Sequence, residues 1–299
     1  MQSTSHQIIC IGSVLWDIIG RTPREMRVGS DMPGRITRLP GGVAMNIAMT
    51  LARFGLSPVL LTALGRDEAG QELIKAARDL GLGTDHIHIS DRPTDAYMAI
   101  EDASGLVAAL ADAHSLEAAG EAIIAPLLNG ALGSVTAPYE GPIALDGNLT
   151  EALLSQIAQS RAFGAADVRI APASPGKAER LRAIIAHRGA TLYVNLEEAE
   201  LISGTTGLGT ARAGAQALLG AGARRVVVTH GAAVACDACA EETHEAAPPQ
   251  VLAKRITGAG DTFMAAHIAA ELKGMSRPEA LEMAQKTAAT YVSGDDNYV

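Results

Sequence analysis

Short apolar runs alternate along this 299-residue chain with segments in which apolar residues recur at helical spacing. Most of the runs lack the apolar–polar alternation of a half-exposed strand, which is typical of strands covered on both faces. The repeated alternation of strands and helices predicts an α/β fold with a largely parallel central sheet. The runs of strand length are Ile8–Val14, Pro58–Leu64, Pro142–Asp146, Val168–Ala171, Leu192–Val194, Arg225–Thr229 and Gln250–Ile256.

Two segments between the first strands predict amphipathic helices that pack on the sheet. Gly55 and Gly81 follow their last apolar positions and predict the helix ends. Nearer the C-terminus, Ser276 and Glu279 have the spacing of a capping box and predict the start of a further helix. The apolar positions of the first two helices are Val43, Ile47, Leu51 and Phe54, and then Leu73, Ala77 and Leu80.

Two polar segments interrupt this alternation, at about residues 21–39 and 94–110. The first is rich in proline and glycine, and the second contains Ser104-Gly105, a pair typical of a turn between two short strands. We interpret both as parts of a small β-structured lid on a single domain that covers residues 1–299. The stretch Ala238–Pro249 is interpreted as a surface loop.

Composition limits the location and the partners of the protein. Hydrophobic residues make up 48% of the chain, but no run approaches the roughly 18 uninterrupted apolar residues of a membrane span. Only three cysteines are present, which is typical of a reducing compartment, so the sequence predicts a cytoplasmic protein. A formal net charge of −9, without clustered lysine and arginine, argues against a nucleic-acid partner.

The segment Thr257-Gly258-Ala259-Gly260-Asp261 carries the strongest chemical signal. It is predicted to follow a strand and to open a helix, where unpaired backbone amides and the helix dipole favour a bound anion. Asp261 would lie on the first helical turn beside the anion, where a carboxylate can accept a proton from a hydroxyl group. The same residues are also compatible with a glycine-rich turn and an N-capping aspartate.

Two other phosphate-binding patterns do not fit the sequence. A dinucleotide-binding fingerprint requires glycine where Phe263 stands, and it lies in an early βαβ unit. A Walker-type loop is not formed at Gly176-Lys177, because the upstream glycine and the following serine or threonine are missing. The predicted anion site is therefore of a different kind.

With these residues, the chain resembles the ribokinase-like, or PfkB, carbohydrate kinases from Ile11 to about Thr290. The family's C-terminal signature contains the element Thr257–Asp261, and its first signature is similar to Gly41–Asn46 and to Gly65-Arg66-Asp67 with Gly70. The resemblance implies a three-layer α/β/α fold with a small β lid that excludes water, and transfer of the γ-phosphate of ATP to a hydroxyl group. It implies that Asp261 is the catalytic base and that the backbone amides of Gly258, Ala259 and Gly260 stabilise charge on the transferred group.

The resemblance also implies which residues hold the phosphate acceptor. Gly41, Gly42 and Asn46 would contact its hydroxyl groups, and Asp17, which the family places at the end of the first strand, would hold a pair of ribose hydroxyls. Asp17 interrupts an apolar segment, and a buried carboxylate needs hydrogen-bond partners. From the residues alone, a capping or surface role for Asn46 and a solvent-facing turn for Asp17 stay open.

The nucleotide site is implied by two short elements and the anion loop. Asn195 and Glu198 match an Asn-x-x-Glu element that orders water and Mg²⁺ around the ATP phosphates, so Glu198 would bind the metal through water. Many relatives carry an acidic residue, associated with a monovalent cation, where this chain has Arg255, which leaves dependence on a monovalent cation open. The implied ATP-binding residues are Asn195, Thr229, Gly231, Thr257, Gly258 and Gly260.

Within the family, the chain is most similar to pseudouridine kinases, at Pro33–Ile36, Asp102–Gly105 and Leu145–Leu149. This resemblance implies phosphorylation of the 5′-hydroxyl of a ribose-containing nucleoside. A sugar kinase or another nucleoside kinase of the family, and a sensor that binds its ligand without phosphoryl transfer, are the alternatives. The lid also implies a surface for homodimer formation. Further contacts on the lid or base side are implied for Thr94, Asp112 and Asn148.

Overall fold

An eight-stranded sheet forms the centre of the fold in the computed structural model, which describes residues 7–27 and 29–295. The sheet has the order β14-β13-β12-β11-β10-β9-β1-β4, with parallel pairs from β12 to β4 and an antiparallel hairpin, β13 and β14, at one edge. The predicted, mostly parallel α/β sheet is confirmed. The strands are β1 (Gln7–Ile11), β2 (Leu15–Arg21), β3 (Arg35–Gly41), β4 (Ser57–Leu61), β5 (Ala63–Gly65), β6 (His88–Ser90), β7 (Ala96–Asp102), β8 (Gly105–Asp112), β9 (Pro142–Asp146), β10 (Asp167–Ala171), β11 (Ala190–Asn195), β12 (Arg225–Thr229), β13 (Ala235–Cys239) and β14 (Thr243–Ala246).

Helices cover both faces of the central sheet. The α-helices are α1 (Val43–Arg53), α2 (Glu68–Asp79), α3 (His114–Ala119), α4 (Glu151–Gln159), α5 (Leu196–Ser203), α6 (Ala211–Gly220), α7 (Ala259–Leu272) and α8 (Arg277–Val292). Successive residues of β1 point to opposite faces: Ile8 and Cys10 pack with α1, α2, α7 and α8, whereas Ile9 and Ile11 pack with α4, α5 and α6. The fold is therefore a three-layer α/β/α arrangement.

The helices agree with the sequence pattern in most positions. Gly55, with φ of 83°, follows the end of α1, and Ser276 with Glu279 forms the predicted capping box of α8. Leu80 is an exception, because it caps the end of α2 with 44% of its surface exposed instead of joining the buried stripe. Among the residues described, no helix combines the length and the apolar character needed to cross a bilayer.

A second sheet, with the order β3-β2-β7-β8, forms the lid. The predicted turn joins β7 to β8, although its two loop residues are Ala103 and Ser104, and Gly105 already begins β8. The predicted first strand, Ile8–Val14, is wrong at its end, because the chain leaves the central sheet after Ile11 and enters the lid as β2. Asp17 therefore lies in the middle of a lid strand and not at the end of a strand of the central sheet.

The predicted strand Gln250–Ile256 is wrong. This segment has no strand partner and is mostly exposed, with Leu252 at 78% and Ile256 at 76%. The stretch interpreted as a surface loop, Ala238–Pro249, instead contains β14 and the end of β13. The edge of the sheet was predicted from apolar composition alone and was therefore placed in the wrong segment. The edge strands are those of the antiparallel hairpin β13 and β14, and not the later segment 250–256.

A buried ionic cluster joins this hairpin to the rest of the sheet and to α7 and α8. Asp237 on β13, which has no exposed surface, accepts from Arg225 at 2.6 Å and from Arg277 at 2.6 Å. Glu271 on α7 pairs with Arg225 at 2.6 Å and with Arg169. Asp237, His267 and Glu271 are types of residue that bind metal ions, but the guanidinium groups already neutralise the carboxylates, so the cluster acts in stability.

Candidate active site

A cavity of about 900 Å³ lies between the carboxyl ends of the central strands and the lid. Ligand sites in open α/β sheets lie at this edge. Residues from the ends of β11 and β12, the start of α7 and the inner lid face all contribute to its wall. The predicted site residues that line it are Asp17, Gly42, Asn46, Asn148, Asn195, Glu198, Thr229, Gly231, Thr257, Gly258, Ala259, Gly260 and Asp261.

Gly258 allows the chain to turn into α7. Its φ is 84°, a left-handed conformation that favours glycine, and a Cβ atom there would lie 2.7 Å from the Tyr291 hydroxyl oxygen. The Ala259 amide donates to the Ile256 carbonyl oxygen at 3.0 Å. It is therefore already engaged and is a weaker candidate than the next amide for binding an anion. The amides of the first helical turn have no helical carbonyl partner, which favours Gly260 as the main donor.

Asp261 stands on this first turn, facing the cavity. Its Oδ2 accepts a hydrogen bond from Asn46 Nδ2 at 2.9 Å, although the two residues are 215 positions apart. Burial raises the pKa of Asp261 to about 7, and the charges of Asp146 and Asp17 add to this, while the bond from Asn46 opposes it. A carboxyl group with a pKa near neutrality is suited to act as a general base.

Asp146 organises the loop beneath the site, and the sequence analysis did not assign it a role. It is fully buried, and its Oδ2 accepts from the Ser13 amide at 2.7 Å and from the Ala44 amide at 3.1 Å. A Cβ atom at Gly12 would lie 2.3 Å from this carboxyl group, so only glycine fits there. Its position at the end of the apolar run Pro142–Asp146 was the available signal, since a carboxylate there needs partners.

A polar chain continues from this loop to the cavity wall. Asn148 donates from Nδ2 to the Ser13 hydroxyl at 2.9 Å, and its Oδ1 accepts from Lys177 Nζ at 2.6 Å. Lys177 also lines the cavity, and its pKa is lowered by burial and by the neighbouring Arg180. From its sequence neighbours, Lys177 was considered only as part of a Walker-type loop, and its position in the cavity wall was missed.

Asp17, on the lid strand β2, lines the cavity. Burial raises its pKa to about 6. Gly41 does not line the cavity, but it makes room for this carboxyl group, because a Cβ atom at Gly41 would lie 2.0 Å from Asp17 Oδ2. Two glycines, Gly41 and Gly42, therefore shape the approach to Asp17 and to the start of α1.

The part of the cavity wall that was predicted to bind the nucleotide contains Asn195 and Glu198. They form the capping box of α5: Asn195 Oδ1 accepts from the Glu198 amide at 2.9 Å, and Glu198 Oε2 accepts from the Asn195 amide at 2.8 Å. Burial raises the pKa of Glu198 to about 7 against the Asn195 bond, and the charges of Glu197 and Asp261 add to it. Thr229 and Gly231 follow β12 and also line the cavity.

Two implied acceptor contacts lie away from the cavity. Thr94 does not line it; its hydroxyl bonds to Asp67, and its oxygen accepts from the Gly65 amide at 3.0 Å. Asp112 pairs instead with the exposed His114 at 2.7 Å. The structure therefore does not bring these two residues to the site.

The fold and this cavity are those of a phosphotransferase that acts on hydroxyl groups, and the chain belongs to the pfkB family of carbohydrate kinases, whose model matches residues 5–295. Among curated proteins, it is 29% identical to the pseudouridine kinase of Escherichia coli (strain K12), over 93% of this chain and 88% of that protein. It is 26% identical to the guanosine-inosine kinase of Exiguobacterium acetylicum, over 98% of this chain and 96% of that one. A solved carbohydrate kinase from Agrobacterium tumefaciens superposes with a TM-score of 0.78 at 26% identity, over 98% of this chain and 92% of its own.

Proposed function

We propose that this protein phosphorylates the 5′-hydroxyl of a ribose-containing nucleoside with ATP, and that pseudouridine is its acceptor. The observation that carries the proposal is the Asp261 carboxyl group, held by Asn46 on the first turn of α7 and facing a cavity that Asp17 enters from the opposite, lid side. The likeness to a pseudouridine kinase over most of both chains supports the acceptor. The three free thiols fit the cytoplasmic location that the composition predicts.

The reaction is a direct transfer. Asp261 takes the proton of the acceptor hydroxyl as its oxygen forms a bond to the γ-phosphorus of ATP, and the bond from that phosphorus to the bridging oxygen of ADP breaks. The backbone amides at the start of α7 stabilise the negative charge on the transferred phosphoryl group. No phosphorylated enzyme is required, because the acceptor itself attacks.

Mg²⁺ fits the nucleotide side of the cavity. Glu197, Glu198 and Glu200 all line it, and Mg²⁺ is bound in proteins by carboxylate oxygens and retained waters. Glu198 would hold the ion through water, with Asn195 fixing its carboxyl group. When bound, Mg²⁺ would neutralise the phosphates of ATP, which otherwise face the raised-pKa carboxyl groups of Asp17, Glu198 and Asp261.

The acceptor is assigned to the lid side of the cavity. Asp17 and Gly42 would bind the ribose, and Asn46 would position both the ribose and Asp261. Asn148 and Lys177 line the cavity together, joined by a hydrogen bond, and the Lys177 ammonium group is suited to a carbonyl oxygen of a uracil ring. This arrangement favours a nucleoside over a plain sugar.

A coupled assay of ADP release over pseudouridine, uridine, adenosine, ribose and fructose tests the proposal. We expect pseudouridine to give the highest kcat/KM, with phosphate on the 5′-oxygen by ³¹P NMR. Asp17→Asn should lower kcat/KM for that acceptor by about 10- to 100-fold, since a hydrogen bond to a charged group contributes about 1.5–3 kcal/mol. A higher value for ribose or fructose would overturn the acceptor, and ligand binding without ADP release would indicate a sensor.

We also propose that the lid mediates a homodimer. Its strand register places Ile36, Met98, Ile100 and Leu110 on the face opposite Asp17. These side chains lie on β3, β7 and β8, so the patch extends from one edge of the lid sheet to the other. Ile36 and Leu110 are 77% and 74% exposed. An apolar patch of this kind marks an interaction surface, and a second copy would cover it.

Light scattering coupled to size exclusion tests the dimer. The wild type should elute with twice the chain mass, and Leu110→Arg should shift it toward the monomer, because a buried unpaired charge opposes association. Val135→Arg is the matched control, since Val135 is 51% exposed but lies outside the lid. A monomeric wild type, or equal effects of the two variants, would contradict the proposal.

A further inference from the structure

The C-terminal end of α8 is hydrogen-bonded to the segment that leads into the anion loop. The Val292 carbonyl oxygen accepts from the Lys254 amide at 2.9 Å and from the Arg255 amide at 3.2 Å. Arg255 Nε donates to the Tyr291 carbonyl oxygen at 2.7 Å, and its Nη2 donates to the Asp295 carbonyl oxygen at 3.1 Å. Two carbonyl groups of the last turn of α8 and one just beyond it therefore accept hydrogen bonds from Lys254 and Arg255, shortly before Thr257.

This helix end attracts positive charge for a general reason. The last carbonyl groups of an α-helix lack helical donors, and the helix dipole places partial negative charge there. The guanidinium of Arg255 supplies a fixed positive charge in this position. It also stacks on the Tyr291 ring, with 3.9 Å between its central carbon and the ring centroid, which adds a cation–π contribution.

Tyr291 passes this arrangement on to the anion loop. Its hydroxyl donates to the Thr257 carbonyl oxygen at 2.8 Å, and the hydroxyl oxygen lies 2.7 Å from the place a Cβ atom of Gly258 would take. The left-handed turn at Gly258 is therefore stabilised by Tyr291 of α8, and Arg255 in turn holds Tyr291 in place. The position of Gly260 and Asp261 depends on this turn.

The sequence leaves dependence on a monovalent cation open, and the residues around Arg255 do not fit such an ion. Carbonyl oxygens are suitable ligands for such an ion. Here, however, the carbonyl oxygens of Tyr291 and Asp295 accept hydrogen bonds from Arg255, and a potassium ion beside them would meet a second positive charge. The Arg255 guanidinium group itself supplies the positive charge at this position.

We propose that Arg255 is a built-in substitute for the monovalent cation, so that nucleotide binding and turnover by this protein do not depend on potassium. The proposal rests on the proposed kinase function for its catalytic part. Arg255 is a positioning residue: it holds the anion loop through Tyr291 and does not line the cavity. Removal of its side chain should expose a set of carbonyl oxygens that a free cation can then occupy.

The test compares KCl with choline chloride at equal ionic strength. We measure the melting temperature, the affinity for Mg·ADP by calorimetry, and ADP release, for the wild type, Arg255→Ala, Arg255→Asp and Arg255→Lys. The wild type should respond equally to both salts. Arg255→Ala should lose about 10- to 100-fold in kcat in choline, the scale of a misplaced catalytic group, and potassium should restore part of that loss and raise the melting temperature.

Arg255→Asp should show the largest potassium response, because it combines a carboxylate with the carbonyl oxygens, whereas Arg255→Lys should stay insensitive because it keeps the charge. Arg188→Ala is the matched control: Arg188 also donates from Nε and Nη2 to the backbone, here to the carbonyl oxygen of Gly164, but it lies before β11, at the amino ends of the central strands and away from the cavity. A potassium response of the wild type, or none in both Arg255→Ala and Arg255→Asp, would overturn the proposal. Melting temperature and ADP affinity do not depend on the acceptor, so a failed acceptor assignment would leave this result readable.

Discussion

Asp261→Asn should lower kcat by about 10²–10⁴-fold, the usual contribution of a general base, while Mg·ADP affinity changes little. Asparagine keeps an oxygen that can accept the hydrogen bond from Asn46, so the geometry of the site should survive and only the proton acceptor is lost. Single-turnover measurements of phosphoryl transfer, together with ADP titrations, check both parts. Near-normal turnover in this variant would exclude Asp261 as the base.

The same group should set the dependence on pH. Since its pKa lies at about 7 and a base must be ionised, kcat/KM of the wild type should rise with pH and level off above this value. The folded protein also retains this proton at pH values where the unfolded chain, with an ordinary carboxyl pKa near 4, has lost it. The contribution of Asp261 to stability therefore falls as pH rises through this window.

Asp261→Asn should consequently unfold at higher denaturant concentration than the wild type at pH 8, with a smaller difference at pH 5. Asp79→Asn is the control, because Asp79 is an exposed partner of Lys75 and should change stability little at either pH. Equal stability differences at the two pH values would show that the Asp261 carboxyl group is not the cause.

Asp237→Asn should lower the free energy of unfolding by about 3–5 kcal/mol, the cost of breaking a buried ion pair. The amide keeps the shape of the side chain but leaves Arg225 and Arg277 without the carboxylate that they share, and the Asp237 side chain itself has no exposed surface. Because these bonds connect β13 to β12 and α8, the edge hairpin should detach first. Chemical denaturation measures the loss, and hydrogen exchange of β13 and β14 locates it.

Glu245→Gln provides the comparison for this effect. Glu245 lies on β14 of the same hairpin and pairs with Arg212, but both side chains are partly exposed, at 36% and 49%. A pair of this kind contributes less than about 1 kcal/mol. A similar loss in the two variants would mean that the buried cluster has no special role in holding the hairpin.

The parts of the fold that the sequence predicted well are those fixed by local pattern. Pro142–Asp146 and Arg225–Thr229 are strands with the predicted bounds, because continuous apolar runs in parallel strands are buried on both faces. The hairpin was missed because β13 carries Asp237 in its centre. A charge there is tolerated only through arginines from β12 and α8, which no local pattern reveals.

The site divides in the same way. The anion loop and Asp261 were predicted because a glycine-rich helix start is a local signal. The contacts that give Asp261 its setting are not local, since Asn46 is 215 residues away and Asp146 is joined to Ser13 across 133. Lys177 lies in a 3₁₀ segment, Pro175–Ala183, whose direction depends on packing and not on helical periodicity.

The position of Asp17 in the lid, and not in the central sheet, has a consequence for the competition between the acceptor and water. In the proposed reaction the group that recognises the acceptor belongs to one sheet, and the group that activates it belongs to a helix on another. A water molecule in the acceptor's place would lack the hydroxyl pair that draws the two parts together, so idle cleavage of ATP is disfavoured. In this proposed reaction, discrimination against water comes from the separation of the recognising and the activating groups onto two parts of the fold. It does not depend on any single contact that distinguishes one substrate from another.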